Sequence, residues 1–217
     1  MANVSLPHDA KAGPTKPEVR AVLLDKLDLD TTDHFVDVGS CTGAVTVEAA
    51  RRADRVTAIE RKPERLTVTE RNLAANGIDA ARTPADSESG DAGSADSELA
   101  DVVLCEAAAP TGIPSDANVL FLGGSRNYEA VLDRALEIGV DRVIMNVSRL
   151  EVAGAAAEAF RDRGLLEGVL QFQVSHGYEL AGATSFDSDN PVYMLIGGVD
   201  GTDDSIDDTV AADGGER

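Results

Sequence analysis

Residues 35–43 read Phe35-Val36-Asp37-Val38-Gly39-Ser40-Cys41-Thr42-Gly43, and an acid, Glu60, follows 21 residues after Gly39. The spacing predicts a buried strand that runs into a turn of small residues and then a helix. A second strand, Val56-Thr57-Ala58-Ile59-Glu60, ends on a carboxylate. This is the chemistry of a nucleotide-type pocket. Small residues let the backbone approach a ligand, helix N–H groups face it, and the acid can accept hydrogen bonds from two ribose hydroxyls.

The elements that must carry this pocket follow from pattern. Gly13-Pro14-Thr15-Lys16-Pro17-Glu18 opens a helix, with Thr15 and Glu18 spaced as a capping box. Val19, Val22, Leu23 and Leu27 give it one buried face. Strand one is expected over 34–38 and a helix from Gly43 to Arg52. Strand two covers 56–60, and a helix starts near Pro63 and stops at Asn76-Gly77. Val102–Glu106 and Val119–Leu122 read as strands three and four. A helix over 127–138 stops at Gly139, and strand five covers Arg142–Asn146. A helix over 150–163 stops at Gly164. Strands over 166–174 and 192–196 close the fold. Strands alternate with helices until the last two. The expected fold class is therefore α/β, a seven-stranded, mostly parallel sheet with an antiparallel last strand and helices on both faces.

Composition sets the surroundings. The chain has 217 residues and a formal net charge of −20. That length fits one domain, read as 13–199, between tails at 1–12 and 200–217 expected to be disordered. Residues 79–101 carry seven acids and one Arg, and residues 200–217 the same, so each segment holds −6 and the rest of the chain −8. The Ser/Gly/Asp-rich 79–101 stretch reads as a solvated acidic insertion. Arg outnumbers Lys, Asp is abundant and aromatics are 4%. This balance suits a high-salt cytoplasm, where the Debye length shrinks to ~3 Å near 1 M salt. The acidity argues against a nucleic-acid substrate, which needs a basic face. No run of 18 apolar residues points to a membrane span. The first residues lack a basic-then-apolar leader, so the expected location is cytoplasmic. Cys41 and Cys105, 64 residues apart, give neither a disulfide framework nor a metal motif.

In enzymes that use S-adenosylmethionine (SAM), the same strand–turn–helix arrangement holds an amino-acid tail and a ribose. Here the residues resemble the decarboxylating precorrin-6B (cobalt-precorrin-6B) C15-methyltransferase family, from Gly13 to about Val199. The anchors are Gly13-Pro14-Thr15, Asp37 to Gly43, Glu60, Glu106-Ala107-Ala108-Ala109-Pro110, Gly123-Gly124-Ser125 and Asn190-Pro191-Val192. The resemblance implies a class I, Rossmann-like SAM-dependent methyltransferase of cobalamin biosynthesis. It implies methyl transfer to C15 of a corrin-ring precursor with loss of carbon dioxide from the C12 acetate. It also implies a homo-oligomer, tetramers included, and makes a separate C5-methyltransferase a candidate partner.

The resemblance assigns Gly39, Ser40, Cys41, Thr42 and Gly43 to the methionine end of SAM and Glu60 to its ribose. It puts Thr15 near the cofactor, although Thr15 also suffices as a helix cap, and Ala108 and Ala109 beside the adenine. Gly123, Gly124, Ser125, Arg126 and Asn127 lie where the transferred methyl should point. Arg126, Arg149 and His176 are candidates for substrate carboxylates, and Asn190 for the substrate mouth. The chemistry asks for placement of an electrophilic methyl and an electron-rich ring carbon within about 3–3.5 Å, so no general base is nominated.

Three positions depart from the family pattern. Cys41 stands where a glycine is usual, Ala108 where an aspartate is usual, and Ser175-His176-Gly177-Tyr178 where Arg-Gly-Arg is common. Competing readings are a class I methyltransferase on RNA or protein, a non-catalytic SAM-fold partner protein, and an NAD-dependent oxidoreductase. Cys41 and the shortened glycine pattern argue against the last.

Overall fold

The computed structural model describes residues 4–10, 13–83, 100–124 and 126–199. In chain order the elements are α1 (Pro17–Leu27), β1 (His34–Val38), α2 (Ala44–Ala49), β2 (Arg55–Ile59), α3 (Pro63–Ala74), β3 (Ala80–Thr83), β4 (Asp101–Cys105), β5 (Val119–Leu122), α4 (Tyr128–Ile138), β6 (Arg142–Val147), α5 (Leu150–Asp162), β7 (Leu166–Phe172), β8 (Ser175–Leu180), β9 (Ala183–Ser188) and β10 (Val192–Gly197).

Eight strands form one sheet in the order β3-β4-β2-β1-β5-β6-β10-β7, and β8 pairs with β9 alone. β10 runs antiparallel to both β6 and β7. The neighbours of β1 are parallel to it, with Val36 opposite Thr57 on one side and Leu120 on the other. All five residues of β1 are buried. Its side chains alternate between two cores: Phe35 joins the cluster built with Leu23, Leu66 and Leu73, while Val36 and Val38 join the one built with Leu132, Ala156 and Phe160. A strand covered on both faces reads as a continuous apolar run, which is why β1, β5 and β6 stand out in the sequence.

Four expectations need correction. The main sheet has eight strands, not seven. The added one is β3, a parallel edge strand on β4, made of Ala80-Ala81-Arg82-Thr83 with no apolar periodicity to reveal it. Residues 79–83 and 100–101 therefore belong to the folded sheet edge, and 84–99 lie outside the described residues. Between the last two expected strands, 166–174 and 192–196, lies the β8–β9 hairpin, a pair of strands the sequence reading did not place. Its turn places Ala181 and Gly182 at φ 52° and 79°, a two-residue loop whose first position usually holds Asn, Asp or Gly. Thr15 does not cap α1: the N-cap is Lys16, with no side-chain cap bond. Lys16 precedes Pro17, which forces it into an extended conformation and starts the helix at the proline.

The N-terminal segment is ordered where it is described. Ser5 exchanges backbone–amide hydrogen bonds with Asn76, and His8 does the same with Asn72. Asn72 Nδ2 also donates to the Thr42 carbonyl at 2.8 Å. One buried amide on α3 thus links residues 4–10 to the glycine turn. The tail at 200–217 lies outside the described residues.

Candidate active site

The strand β1 ends at Val38, and the chain turns through Gly39 (φ 87°), Cys41 (φ 54°) and Gly43 (φ 73°) before α2 begins. Only glycine takes these left-handed angles without penalty, and Cys41 takes one with a Cβ. The turn is held from below. Gly39 and Ser40 donate their N–H groups to the Ile59 carbonyl, and Thr69 Oγ1 sits 3.1 Å from both Ser40 Oγ and the Cys41 carbonyl. Gly43 cannot grow: a Cβ there would lie 2.9 Å from Thr69 Cγ2. Gly43 therefore shapes the turn by packing and lines neither cavity described next.

Two cavities open along the carboxyl ends of the parallel strands, the place where open α/β sheets bind ligands. The first, about 320 Å³, is lined by Gly39, Cys41, Glu60, Ala108, Ala109 and Asn127, together with Gly124, Arg126 and two arginines of α3 and its approach, Arg61 and Arg65. The second, about 210 Å³, is lined by Thr15, Lys16, Asp37, Ser40, Thr42 and Asn146, with Ser148 and Val192 at its far side. Gly39, Cys41 and Gly123 line both. At that shared floor the backbones are close. A Cβ on Gly123 would lie 3.3 Å from the Gly39 carbonyl oxygen.

Glu60 is 5% exposed. One of its carboxylate oxygens accepts the Lys62 N–H at 3.0 Å, which aims the group across the mouth of the larger cavity. Asn127 Nδ2 donates to the Ala109 carbonyl at 3.1 Å. Arg126 and Asn127 therefore stand on the Glu60 side of the crevice, while Gly123 bridges the two sides. Ser125 lies outside the described residues.

Three further nominated residues are exposed and line neither cavity: Arg149, His176 and Asn190. Arg149 is the N-cap of α5. His176 Nε2 lies 3.5 Å from Asp189 Oδ2, and the same oxygen is 2.8 Å from Lys16 Nζ. That ion pair holds the Asp189 carboxyl below its ordinary range, the Lys16 hydrogen bond being the main cause.

Sequence reading missed Asp37, Asn146, Arg61 and Arg65 as lining residues. Asp37 was hidden because it sits inside the apolar run of β1. It is 2% exposed, and burial raises its carboxyl to about 6, against the opposing hydrogen bond from Thr46. Asn146 sits near the end of β6, where both side-chain polar atoms are buried with no hydrogen-bond partner among the described residues. Among the described residues no group of three or more His, Cys, Asp or Glu could hold a metal ion, and no helix is long and apolar enough to cross a membrane.

The strand order, the single antiparallel strand β10 and the glycine turn facing a strand-tip acid define a class I methyltransferase fold. The family profile described as "precorrin methyltransferase domain" matches residues 7–197, so the chain belongs to that family. It is 64% identical, over 93% of its length and 97% of the relative's, to a probable cobalt-precorrin-6B C(15)-methyltransferase (decarboxylating) of Halobacterium salinarum. A protein of the same description from Methanosarcina acetivorans is 36% identical over 85% of this chain and 93% of its own. Among solved structures, a precorrin 8w decarboxylase from Methanobacterium thermoautotrophicum superposes with a TM-score of 0.72 at 30% identity, covering 88% of this chain and 96% of its own. A tRNA (m1A58) methyltransferase from Aquifex aeolicus shares the fold at 11% identity and a TM-score of 0.63, covering 88% of this chain and 72% of its own.

Proposed function

We propose that this chain methylates C15 of cobalt-precorrin-6B, or of its metal-free form, with loss of carbon dioxide from the C12 acetate, in cobalamin biosynthesis. The observation that carries the reading is the pair of cavities meeting at Gly39 and Gly123, in a chain of the precorrin methyltransferase family. The larger cavity suits a nucleoside and the smaller one the methionine end, with the acceptor toward Asn146, over a shared floor of Gly39, Cys41 and Gly123.

The residues present fit SAM as methyl donor. The second carboxylate oxygen of Glu60 would accept from a ribose diol, and the neutral walls Ala108 and Ala109 would meet the adenine through backbone groups alone. Gly39 and Gly123 would leave room for the sulfonium, and Ser40, Thr42 and Thr15 would offer hydroxyls to the methionine end. When bound, SAM supplies an electrophilic methyl on a cationic sulfur. The chain's own part is placement: it would hold the acceptor carbon in line with that methyl.

The reading includes a cytoplasmic homo-oligomer with a separate C5-methyltransferase as a partner. Tyr178, Leu180 and Phe186 are exposed on the β8–β9 hairpin and favour self-association. A net charge of −20 disfavours the RNA-methyltransferase alternative. The test is incubation with SAM and cobalt-precorrin-6B in molar KCl, read by mass spectrometry. A product that has gained a methyl and lost carbon dioxide is expected. An untouched precursor, with SAM bound, rejects the assignment.

A further inference from the structure

Asn146 is the odd residue of the crevice. It lies near the C-terminal end of β6, opposite Met194 of β10 in an otherwise apolar register. Its Nδ2 and Oδ1 are both buried, and neither meets a donor or acceptor among the described residues. Buried amides are ordinarily hydrogen-bonded, so a polar side chain held in this state at a cavity wall points to a ligand group.

Its position separates it from the nucleoside side. Glu60 follows β2 and Ala108 follows β4, both on one flank of β1, whereas β6 lies beyond β5 on the other flank. With strands about 4.8 Å apart, β6 is roughly 10 Å from β1 on the acceptor side. The electrostatics of the smaller cavity are unusual for a protein whose expected substrate is rich in carboxylates. Among the described residues the one cation lining it is Lys16, and its Nζ is taken by Asp189 at 2.8 Å. An acid, Asp37, also lines it.

We infer that Asn146 is a positioning residue for the departing carboxyl group, its Nδ2 donating to the acetate of the macrocycle at a wall where the described residues offer no available cation. The inference rests on the activity proposed above. A guanidinium would hold a carboxylate more tightly but would also stabilise the charge that must disappear. A neutral amide fixes its orientation and leaves that charge poorly stabilised beside Asp37. The bond between the acetate methylene and its carboxyl carbon then breaks. Its electron pair enters the conjugated ring and neutralises the charge gained with the methyl, and carbon dioxide leaves. The new methylene takes a proton from water and the macrocycle releases one to solvent.

The test uses Asn146→Leu, which removes both polar atoms at similar volume, and Asn146→Asp, which keeps the shape and an acceptor but removes the donor. Each is compared with the wild type for SAM affinity by calorimetry, for thermal unfolding, and for single-turnover products from cobalt-precorrin-6B. The expected result is SAM affinity close to wild type, Asn146→Leu at least as stable as wild type, and a shift in product ratio in both variants. The decarboxylated share of methylated product should fall about tenfold, the worth of one hydrogen bond to a charged group. An unchanged ratio in Asn146→Asp overturns the inference. So does tighter SAM binding by Asn146→Asp together with weaker binding by Asn146→Leu, which would assign the amide to the cofactor's ammonium. A wild type that binds SAM but leaves the precursor untouched refutes the activity itself, and this inference with it.

Discussion

Thr46 Oγ1 donates a 2.6 Å hydrogen bond to Asp37 Oδ2 beneath the glycine turn. The donor is on the first turn of α2 and the acceptor near the end of β1, so the bond ties the strand to the helix across the ligand turn. Burial raises the Asp37 carboxyl from 3.8 to about 6 despite that bond. The unfolded chain releases this proton near 3.8, the folded chain near 6. Between those values the folded state holds more protons, so Asp37's contribution is complete below about pH 4 and is lost as pH rises through 6. The loss is ~3 kcal/mol. Urea unfolding across pH 4 to 8 at constant KCl should show this decline, and Asp37→Asn should flatten it.

Glu60 makes the second prediction. Its carboxylate is 5% exposed and one oxygen is committed to Lys62 N–H. Replacing it with alanine removes the acceptor for a ribose diol. The expected loss is about 1.5–3 kcal/mol, or roughly 10- to 150-fold in SAM dissociation constant. Asn72, Thr69 and the turn they hold are untouched, so the unfolding midpoint should move little. Calorimetry on Glu60→Ala and Glu60→Gln checks both, and unchanged affinity would remove Glu60 from the site.

The β1–turn–α2 segment and Glu60 were legible because their physics is local. A buried strand, small residues with left-handed angles and a strand-tip acid all leave marks in sequence. The residues that escaped were those whose meaning depends on another part of the chain. Asp37 looks like an interruption of an apolar strand until Thr46 is placed above it. Asn146 looks like the polar end of β6 until pairing with β10 and the surrounding wall take its two amide atoms out of solvent. The four residues of β3 gain strand character only by pairing with β4. Arg149 and His176 carry a charge that suits carboxylates, but neither lines either of the two cavities of the crevice.

Cys41 occupies a left-handed position, φ 54°, on the shared floor of both cavities. A residue with a Cβ there costs about 1–2 kcal/mol, while glycine costs about 0.5–1 kcal/mol more chain entropy. The difference is small and favours glycine. Cys41→Gly should therefore change stability by no more than about 1 kcal/mol, while clearing a Cβ and sulfur from the ligand floor. SAM affinity should hold or improve. Cys41→Val, with its branched Cβ in the same angle, should lower both stability and affinity. A marked loss of affinity in Cys41→Gly would show that the thiol contributes a contact of its own.

Charge makes a prediction about salt. The chain carries −20, with −6 in each of two acidic segments. Self-repulsion of that size opposes the compact state and is screened as the Debye length falls from about 10 Å at 0.1 M to about 3 Å at 1 M. The unfolding midpoint should climb steeply with KCl between these concentrations. Deleting residues 200–217 should reduce the slope. A midpoint indifferent to salt would contradict the high-salt adaptation read from composition.

At the opposite end of the sheet from the ligand crevice, Asp33 fastens three strands. It is 2% exposed. Its carboxylate accepts from Arg142 Nη2 at 3.0 and 3.2 Å and from Asn118 Nδ2 at 2.7 Å, and the Asp30 N–H closes the cluster at 2.9 Å. Asp33 precedes β1, Asn118 precedes β5 and Arg142 begins β6, so one carboxylate sets the stagger of the strands whose far ends carry Gly39, Gly123 and Asn146. Removing one partner of a buried pair leaves the others unsatisfied, at about 3–5 kcal/mol when burial is complete. The Arg142 side chain is 32% exposed, which brings the expectation for Asp33→Ala to about 2–3 kcal/mol. Asp33→Asn keeps the shape and one acceptor and should lose about half as much. Chemical denaturation of both variants, with SAM affinity measured in parallel, separates the roles. Stability should fall in that order, and affinity should stay near wild type wherever the protein remains folded, because the anchor acts on strand position and not on the ligand.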